Sequence, residues 1–182
     1  MQRLKLFIPV VLFLGLGIFL MAILLAGGKG EIPSALINKP MPTFKLPALS
    51  AKEGIKNDEL LEQSTFAGQP YLINAWATWC GPCRYEHPTI VKMAKEGVAI
   101  VGLNYKDVAA DAQNWLTELE NPYTHIIFDK EGRLGLDLGV TGIPETYFVN
   151  AQGVIKYKHT GVINDKIWLD KLRPIWLEIS SL

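Results

Sequence analysis

The sequence predicts an α/β domain in which helices flank a central sheet of mixed strand direction. Three apolar runs of strand length, at 71–76, 98–103 and 125–128, are separated by segments in which apolar residues recur at helical spacing. A hairpin pattern at 146–159 and a closing helix after residue 164 complete the series. Strands separated by helices, followed by a hairpin, favour one sheet that contains both strand directions.

The domain opens with two short elements and then a buried strand. Residues 41–47 alternate apolar and polar side chains between prolines, which predicts a short edge strand. Residues 58–62 predict a brief helical turn, and the nearly continuous apolar run at 71–76 predicts a strand buried on both faces. A helix then continues until Gly97 ends it. Its apolar residues at helical spacing are Ile90, Val91, Met93 and Ala94.

The next segment predicts a second unit of strand, helix and strand. Residues 98–103 are a further apolar run suited to a buried strand. Asp107 has the side chain of an N-cap residue, so we expect a helix after it. The apolar stripe of that helix, interpreted as core packing, consists of Val108, Ala112, Trp115, Leu116 and Leu119. Residues 125–128 predict the third strand and 132–138 a short helix.

The last part of the chain predicts a hairpin and a helix. Residues 146–149 and 154–159 flank a turn-forming segment, and Lys156 and Lys158 on one side of the second strand are typical of a protected sheet edge. The helix from Asn164 is expected to bend at Pro174. Its apolar stripe consists of Trp168, Leu172, Ile175, Trp176 and Ile179.

An uncharged apolar segment precedes the domain. Residues 6–26 are 21 residues without a charge, and a helix of that length covers about 30 Å, the hydrocarbon thickness of a bilayer. The alternative is a cleaved signal peptide, whose apolar core has about 7 to 15 residues. Because this run is longer and residues 24–27 form a poor cleavage site, an uncleaved transmembrane anchor is favoured. Arg3 and Lys5 before the segment favour a cytoplasmic N-terminus.

The predicted organisation therefore has four parts. They are a cytoplasmic N-terminus at 1–5, a transmembrane anchor at 6–26, a tether at 27–40 and the globular domain at 41–182. After residue 26 the chain carries 16 Lys and Arg (18 less Arg3 and Lys5) against 18 Asp and Glu, a net charge of −2. Since no basic stripe is present, we expect no nucleic-acid partner.

The only two cysteines, Cys80 and Cys83, lie where the buried strand at 71–76 turns into a helix. Unpaired N–H groups and the dipole at a helix start favour the thiolate of Cys80 over the thiol. A Cys-x-x-Cys pair beside a βαβ pattern is typical of a redox site. A purely structural disulfide is the alternative, but so short a loop removes little chain entropy from the unfolded state.

Metal and haem chemistry is not expected of this pair. A structural zinc site needs a second pair of ligands, and the three histidines, His87, His125 and His159, are not at ligand spacing. Arg84, not histidine, follows Cys83, so the motif is not a covalent haem attachment site. We therefore expect neither cofactor nor metal.

Several motifs in order resemble the thioredoxin active site. They are Trp79-Cys80-Gly81-Pro82-Cys83, Pro88, and Thr141-Gly-Ile-Pro144, and the resemblance covers residues 63–179. It implies a thioredoxin-like fold, here with an N-terminal extension and one transmembrane helix. It also implies that Pro144 follows a cis peptide bond and lies against Cys80. The Ile143 backbone would then face outward, where it can pair with an extended substrate.

The departures from ordinary thioredoxin point to a narrower group. Asn74 stands where thioredoxin has a buried aspartate, and an amide cannot take up or release a proton at neutral pH. The apolar segment together with residues 74–80, 83–86 and 143–146 resembles the tethered thioredoxins of cytochrome c maturation, the CcmG/DsbE type. In that group acidic residues, here Glu86 and Glu145, shape a groove beside the disulfide and tune cysteine reactivity.

Two other interpretations of the acidic residues stay open. Glu86 could be a solvated helix charge and Glu145 a surface residue, although the position of Glu145 next to the expected docking edge favours a functional role for it. A carboxylate near the sulfurs would oppose the thiolate and raise its pKa. Trp79 is interpreted as a partly exposed contact surface, with Gly81 and Pro82 beside it, and Trp76 as core.

The resemblance implies a thiol:disulfide oxidoreductase on the periplasmic side of a bacterial inner membrane, working as a reductant. It implies apocytochrome c as substrate, through the Cys-x-x-Cys-His cysteines before haem attachment. It further implies a membrane thiol-electron carrier of the DsbD or CcdA type as reductant and other cytochrome c maturation proteins as partners. The alternatives are a general envelope disulfide reductase of the TlpA or ResA type, a copper-delivery module on the same fold, and a purely structural tether.

Overall fold

A computed structural model describes residues 7–26, 34–50 and 59–181 of the chain. The predicted cytoplasmic N-terminus at 1–5 and the first half of the predicted tether lie outside these residues. The first element, helix α1, spans Ile8–Ala26 and has 19 residues. In the described part of the chain we find no helix long and apolar enough to cross a membrane, so the predicted anchor is not confirmed.

The domain that follows contains a five-stranded sheet, a two-stranded sheet and helices. The strands are β1 (Lys45–Pro47), β2 (Leu60–Glu62), β3 (Tyr71–Trp76), β4 (Ile100–Tyr105), β5 (His125–Asp129), β6 (Glu145–Val149) and β7 (Ile155–Thr160). The helices are α2 (Gly81–Lys95), α3 (Ala109–Leu119), α4 (Arg133–Asp137), α5 (Asp165–Ile167) and α6 (Arg173–Ser180), with a 3₁₀ helix at Gln63–Phe66 and a π-helical segment at Trp168–Leu172.

The main sheet has the mixed direction that the sequence predicts. Its strand order is β5-β4-β3-β6-β7. The central strand β3 pairs in parallel with β4 and antiparallel with β6, and β6 pairs antiparallel with β7 as a hairpin. All six residues of β3 are buried, as expected for a strand covered on both faces.

Side-chain alternation along the strands divides the core into two clusters. One face carries Leu72, Trp76 and Phe148 and includes both cysteines; helices α2 and α3 and the C-terminal helical segments cover it. The other face carries Ile73 and Tyr147 and is covered by α4 and by residues of the N-terminal segment. Consecutive strand residues therefore serve different faces.

The N-terminal extension of the domain protects the sheet edges. Asn38 N donates to Ile155 O at 2.7 Å, and Ile155 N donates to Lys39 O at 2.9 Å, so the end of the predicted tether is joined to β7. At the opposite edge, Leu49 N donates to Ile126 O of β5 at 2.8 Å. These contacts occupy edge groups that would otherwise be open to pairing with another chain.

Two local expectations are wrong, and a third is only partly confirmed. Residues 60–62 of the predicted helical turn form strand β2, which pairs antiparallel with β1. Asp107 is not an N-cap, because α3 begins at Ala109 and the N-cap position is Val108. Strand β7 lies at the sheet edge as predicted, but Lys158 does not protect that edge as a solvated charge, since its side chain is only 7% exposed and pairs with Glu145. In each case a long-range partner overrides the local pattern.

Candidate active site

Cys80 and Cys83 form a disulfide at the start of α2. Cys80 occupies the N-cap position, and the Cys83 backbone N–H donates to Cys80 Sγ at 3.1 Å. Cys80 is 4% exposed and Cys83 is 1% exposed, while Gly81 and Pro82 between them are exposed. Donation from the helix start stabilises negative charge on Cys80, so Cys80 is the better nucleophile of the pair.

The cis-proline segment lies against the same sulfur. The peptide bond between Ile143 and Pro144 is cis, and Cys80 Sγ lies 3.6 Å from Ile143 O. Pro144 is buried and Ile143 is half-buried. The structure therefore brings the cysteine motif and the cis-proline segment together, although 63 positions separate Cys80 from Ile143.

Glu86 lies on the sulfur-bearing face and is buried, with 1% exposure. Its Oε1 accepts from Asn74 Nδ2 at 2.9 Å, and its Oε2 accepts from Ile163 N at 2.9 Å. Burial raises the pKa of Glu86 to about 7, against the opposing effect of these two hydrogen bonds. Glu86 is thus not a solvated helix charge. It is a buried acid that can exchange a proton near neutral pH.

The amide of Asn74 organises the polar groups around Glu86. Asn74 Oδ1 accepts from the buried Tyr123 hydroxyl at 2.8 Å, which leaves Nδ2 to donate to Glu86 and to Thr146 Oγ1 at 3.1 Å. The amide orientation is therefore fixed by its partners. Asn74 cannot ionise, whereas its hydrogen-bond partner Glu86, one turn along α2 from Cys83, can.

Glu145 is placed differently from the expectation. It is fully buried, so it is not a surface residue, and it lies on the same sheet face as Tyr147, opposite the face that carries Cys80 and Thr146. Although its backbone directly follows Pro144, its carboxylate accepts hydrogen bonds from Thr141 and Tyr147 and pairs with Lys158. The structure does not bring this carboxylate to the sulfurs.

Sequence reasoning missed Asp107 as a residue that shapes the site. Its Oδ2 accepts from Thr78 N at 2.7 Å and its Oδ1 accepts from Thr78 Oγ1 at 2.6 Å. The neighbouring Lys106 carbonyl accepts from Trp79 Nε1 at 3.0 Å. The turn after β4 thus holds the two residues that lead into Cys80. Since β3 and β4 are parallel neighbours, polar residues after both strands were candidates for one edge.

The two tryptophans near the motif have different roles. Trp79 is 59% exposed beside Cys80, as expected for a contact surface. Trp76 is buried and stacks between Trp115 and Tyr123, with ring centroids 4.6 Å and 5.6 Å away.

In the described residues we find no group of three or more His, Cys, Asp or Glu side chains arranged to hold a metal ion. The arrangement supports thiol chemistry at Cys80, next to an exposed aromatic contact.

Comparison with known proteins agrees with this site. The Redoxin family model matches residues 37–172. A thiol:disulfide interchange protein DsbE of Pseudomonas aeruginosa is 45% identical over 174 residues, covering 93% of this chain and 94% of that protein. The DsbE of Escherichia coli K12 is 41% identical over 185 residues, covering 100% of this chain and 98% of that protein.

Solved structures share the fold. A crystal structure of a DsbE-type thiol:disulfide interchange protein from Chlorobium tepidum aligns with a TM-score of 0.62 at 24% identity, covering 81% of this chain and 99% of that one. A secreted thiol-disulfide isomerase from Corynebacterium glutamicum aligns with a TM-score of 0.61 at 24% identity, covering 75% of this chain and 84% of that one. The central mixed sheet flanked by helices is therefore thioredoxin-like.

Proposed function

This chain belongs to the Redoxin family and to its DsbE-type thiol:disulfide interchange proteins, and we propose that it works as a reductant outside the cytoplasm. The observation that carries the proposal is the Cys80–Cys83 disulfide at the start of α2, with Ile143 O 3.6 Å from Cys80 Sγ. A nucleophilic sulfur beside an outward-facing backbone edge is suited to an extended disulfide substrate.

The proposed reaction begins with the reduced pair. The Cys80 thiolate attacks a substrate disulfide, so a bond forms between Cys80 and the substrate while the substrate S–S bond breaks and the leaving sulfur takes a proton. Cys83 then loses its proton and attacks Cys80, releasing the second substrate thiol. Two electrons pass to the substrate, and the Cys80–Cys83 disulfide seen in the structure is the product state.

We assign proton handling on the sulfur-bearing face to Glu86. Cys83 must lose a proton before it can attack, and general-base catalysis is most effective when the base has a pKa near the working pH. The buried Glu86 carboxyl, with its pKa raised to about 7, meets that condition. Its position one helical turn after Cys83 supports this role, and Asn74 fixes its orientation.

We propose apocytochrome c as the substrate, through the cysteines of its Cys-x-x-Cys-His motif, which must be reduced before haem attachment. Two observations support this substrate. The chain has the combination of Asn74, Glu86 and residues 143–146, and it aligns with relatives named DsbE over nearly their whole length. Regeneration needs a dithiol donor, and we propose a membrane thiol-electron carrier of the DsbD or CcdA type, with other cytochrome c maturation proteins as partners.

We also propose that residues 6–26 anchor the domain to a bacterial inner membrane, with the catalytic domain in the periplasm. The support is the absence of charge over 6–26 and the cations Arg3 and Lys5 before it. Sedimentation of the full chain with membranes after alkaline washing would agree with an anchor. Release of the full chain by that wash would contradict it.

The deciding experiment is trapping by the full-length Cys83→Ser variant, because it retains the attacking sulfur and loses the resolving one. We expect mixed disulfides with polypeptides that contain Cys-x-x-Cys-His, and none with the matched variant in which Cys80 is also replaced by serine. Capture only of other envelope proteins would favour the general reductase of the TlpA or ResA type. No trapped partner, together with failure of the wild type to reduce a model disulfide, would refute a reductase and leave copper delivery to be tested by Cu(I) binding.

The direction of electron flow has its own measurement. Thioredoxin-fold pairs range from reductants at about −270 mV to oxidants at about −120 mV. Gly81 and Pro82 between the cysteines, with no histidine there, favour the reducing end. Equilibration of the Cys80–Cys83 pair with glutathione buffers should give a potential in the lower half of that range. A value at the oxidising end would make the protein an oxidase.

A further inference from the structure

An ion pair is buried on the sheet face opposite the sulfurs. Lys158 Nζ of β7 lies 2.9 Å from Glu145 Oε2 of β6, and the two side chains are 7% and 0% exposed. Both project from the face that carries Tyr147, the register partner of Lys158. The pair is therefore separated from Cys80 by the sheet itself.

The pair is joined to the segment that ends in the cis-proline. Glu145 Oε1 accepts from Thr141 Oγ1 at 2.8 Å and from Thr141 N at 3.3 Å, and Lys158 Nζ donates to Gly139 O at 2.9 Å. The Tyr147 hydroxyl lies 2.9 Å from Glu145 Oε2 and 3.2 Å from Leu138 O. The buried charges and the Tyr147 hydroxyl thus contact three residues of the segment 138–144.

Packing supports this segment only at some of its residues. Leu138 and Pro144 at its ends are buried, and Val140 and Ile143 are half-buried against the core, but Gly139, Thr141 and Gly142 are exposed. A buried ion pair contributes little net stability, because desolvation of both charges offsets their attraction, and its best-supported use is to specify one geometry. Here the geometry it specifies is the path of the chain into Ile143.

We propose that Glu145 and Lys158 are positioning residues for disulfide exchange: from the far side of the sheet, their ion pair fixes the segment 138–144 so that Ile143 presents its backbone to a peptide disulfide beside Cys80. This rests on the proposed function. The proposed role differs from tuning of cysteine reactivity by an acidic group, because the Glu145 carboxylate acts on the docking edge and not on the sulfurs.

The first test removes one contact of the ion pair and keeps both charged side chains. Thr141→Val loses the hydroxyl that donates to Glu145 at an exposed position. The matched control is Thr124→Val, which loses an exposed hydroxyl that donates to Ile100 O at the opposite end of the sheet. With a peptide that contains a Cys-x-x-Cys disulfide, we expect KM to rise at least about threefold for Thr141→Val, since a hydrogen bond to a charged acceptor is lost. The control should match the wild type.

The second test is Glu145→Gln, measured with two oxidised probes. Exchange with the peptide disulfide should slow by about tenfold, while exchange with 2-hydroxyethyl disulfide, which has no backbone to dock, should keep the wild-type rate. The redox potential of the Cys80–Cys83 pair should also be unchanged.

The other outcomes overturn the inference in distinguishable ways. A changed potential or a slower rate with 2-hydroxyethyl disulfide would show that Glu145 acts on the sulfurs. A lower melting temperature with both rates unchanged below it would show a structural role only. If the wild type itself reduced neither probe, the proposed function would fail, and this inference with it.

Discussion

Replacement of Glu86 by glutamine should remove a pH dependence of stability that the native chain carries. Burial raises the pKa of Glu86 from its ordinary 4.5 to about 7. An acid whose pKa is raised by folding holds its proton more tightly in the folded state, so its protonated form is the one compatible with the fold. The protonated Glu86 therefore contributes to the free energy of unfolding at pH 4.5, and this contribution is lost progressively as the pH rises through about 7.

The size of the effect follows from the two pKa values. The difference between about 7 and 4.5, at about 1.36 kcal/mol for each pKa unit, gives about 3 kcal/mol at pH 8.5. This value already includes the hydrogen bonds that Glu86 accepts from Asn74 and Ile163, which oppose the effect of burial. Glutamine has no charge to bury, so the unfolding free energy that the variant loses through altered hydrogen bonds should be the same at every pH.

The assay is urea unfolding of the oxidised wild type and of Glu86→Gln at pH 4.5 and pH 8.5, followed by tryptophan fluorescence. Keeping the Cys80–Cys83 disulfide intact prevents thiol titration from contributing. We expect the variant to gain about 3 kcal/mol in free energy of unfolding relative to the wild type between the two pH values. Glu118→Gln is the control, since that side chain is 68% exposed. The same difference between variant and wild type at both pH values would refute the reasoning.

Two further substitutions test the packing around the site. Asp107→Asn replaces one acceptor oxygen by a donor, so Thr78 loses a hydrogen bond to a charged group. The free energy of unfolding should fall by about 1.5 to 3 kcal/mol. Unchanged urea unfolding would contradict this prediction. Gly102→Ala would place a Cβ 2.9 Å from Trp76 Nε1 and should cost about 1 to 3 kcal/mol by overpacking. Gly142→Ala, with nothing within 4 Å, is its control, and equal stabilities of the two alanine variants would show that the Trp76 stack adjusts.

The chemistry of the site could be predicted from sequence because it is encoded locally. The two cysteines, the buried strand before them and the helix after them occupy one continuous stretch, 71–97, and the helix start fixes which sulfur is the nucleophile. The thioredoxin resemblance then supplied the distant Pro144. The structure confirms the cis bond and the approach of Ile143 to Cys80.

The roles of the acidic residues were decided only by the fold. The sequence places both Glu86 and Glu145 beside the motif, but α2 directs Glu86 into the sulfur-bearing face while β6 directs Glu145 to the other. Strand residues alternate between faces, and sequence does not reveal which face a given residue of β6 takes until the register with β3 is known.

By itself the sequence determined where the sulfur chemistry occurs and which residues begin it. The tertiary structure decided which polar groups surround it. The reason is that the partners that settle burial and hydrogen bonding are far apart along the chain: 77 positions separate Glu86 from Ile163, and 29 separate Thr78 from Asp107. Such contacts form only when the sheet has assembled, so local periodicity carries no record of them.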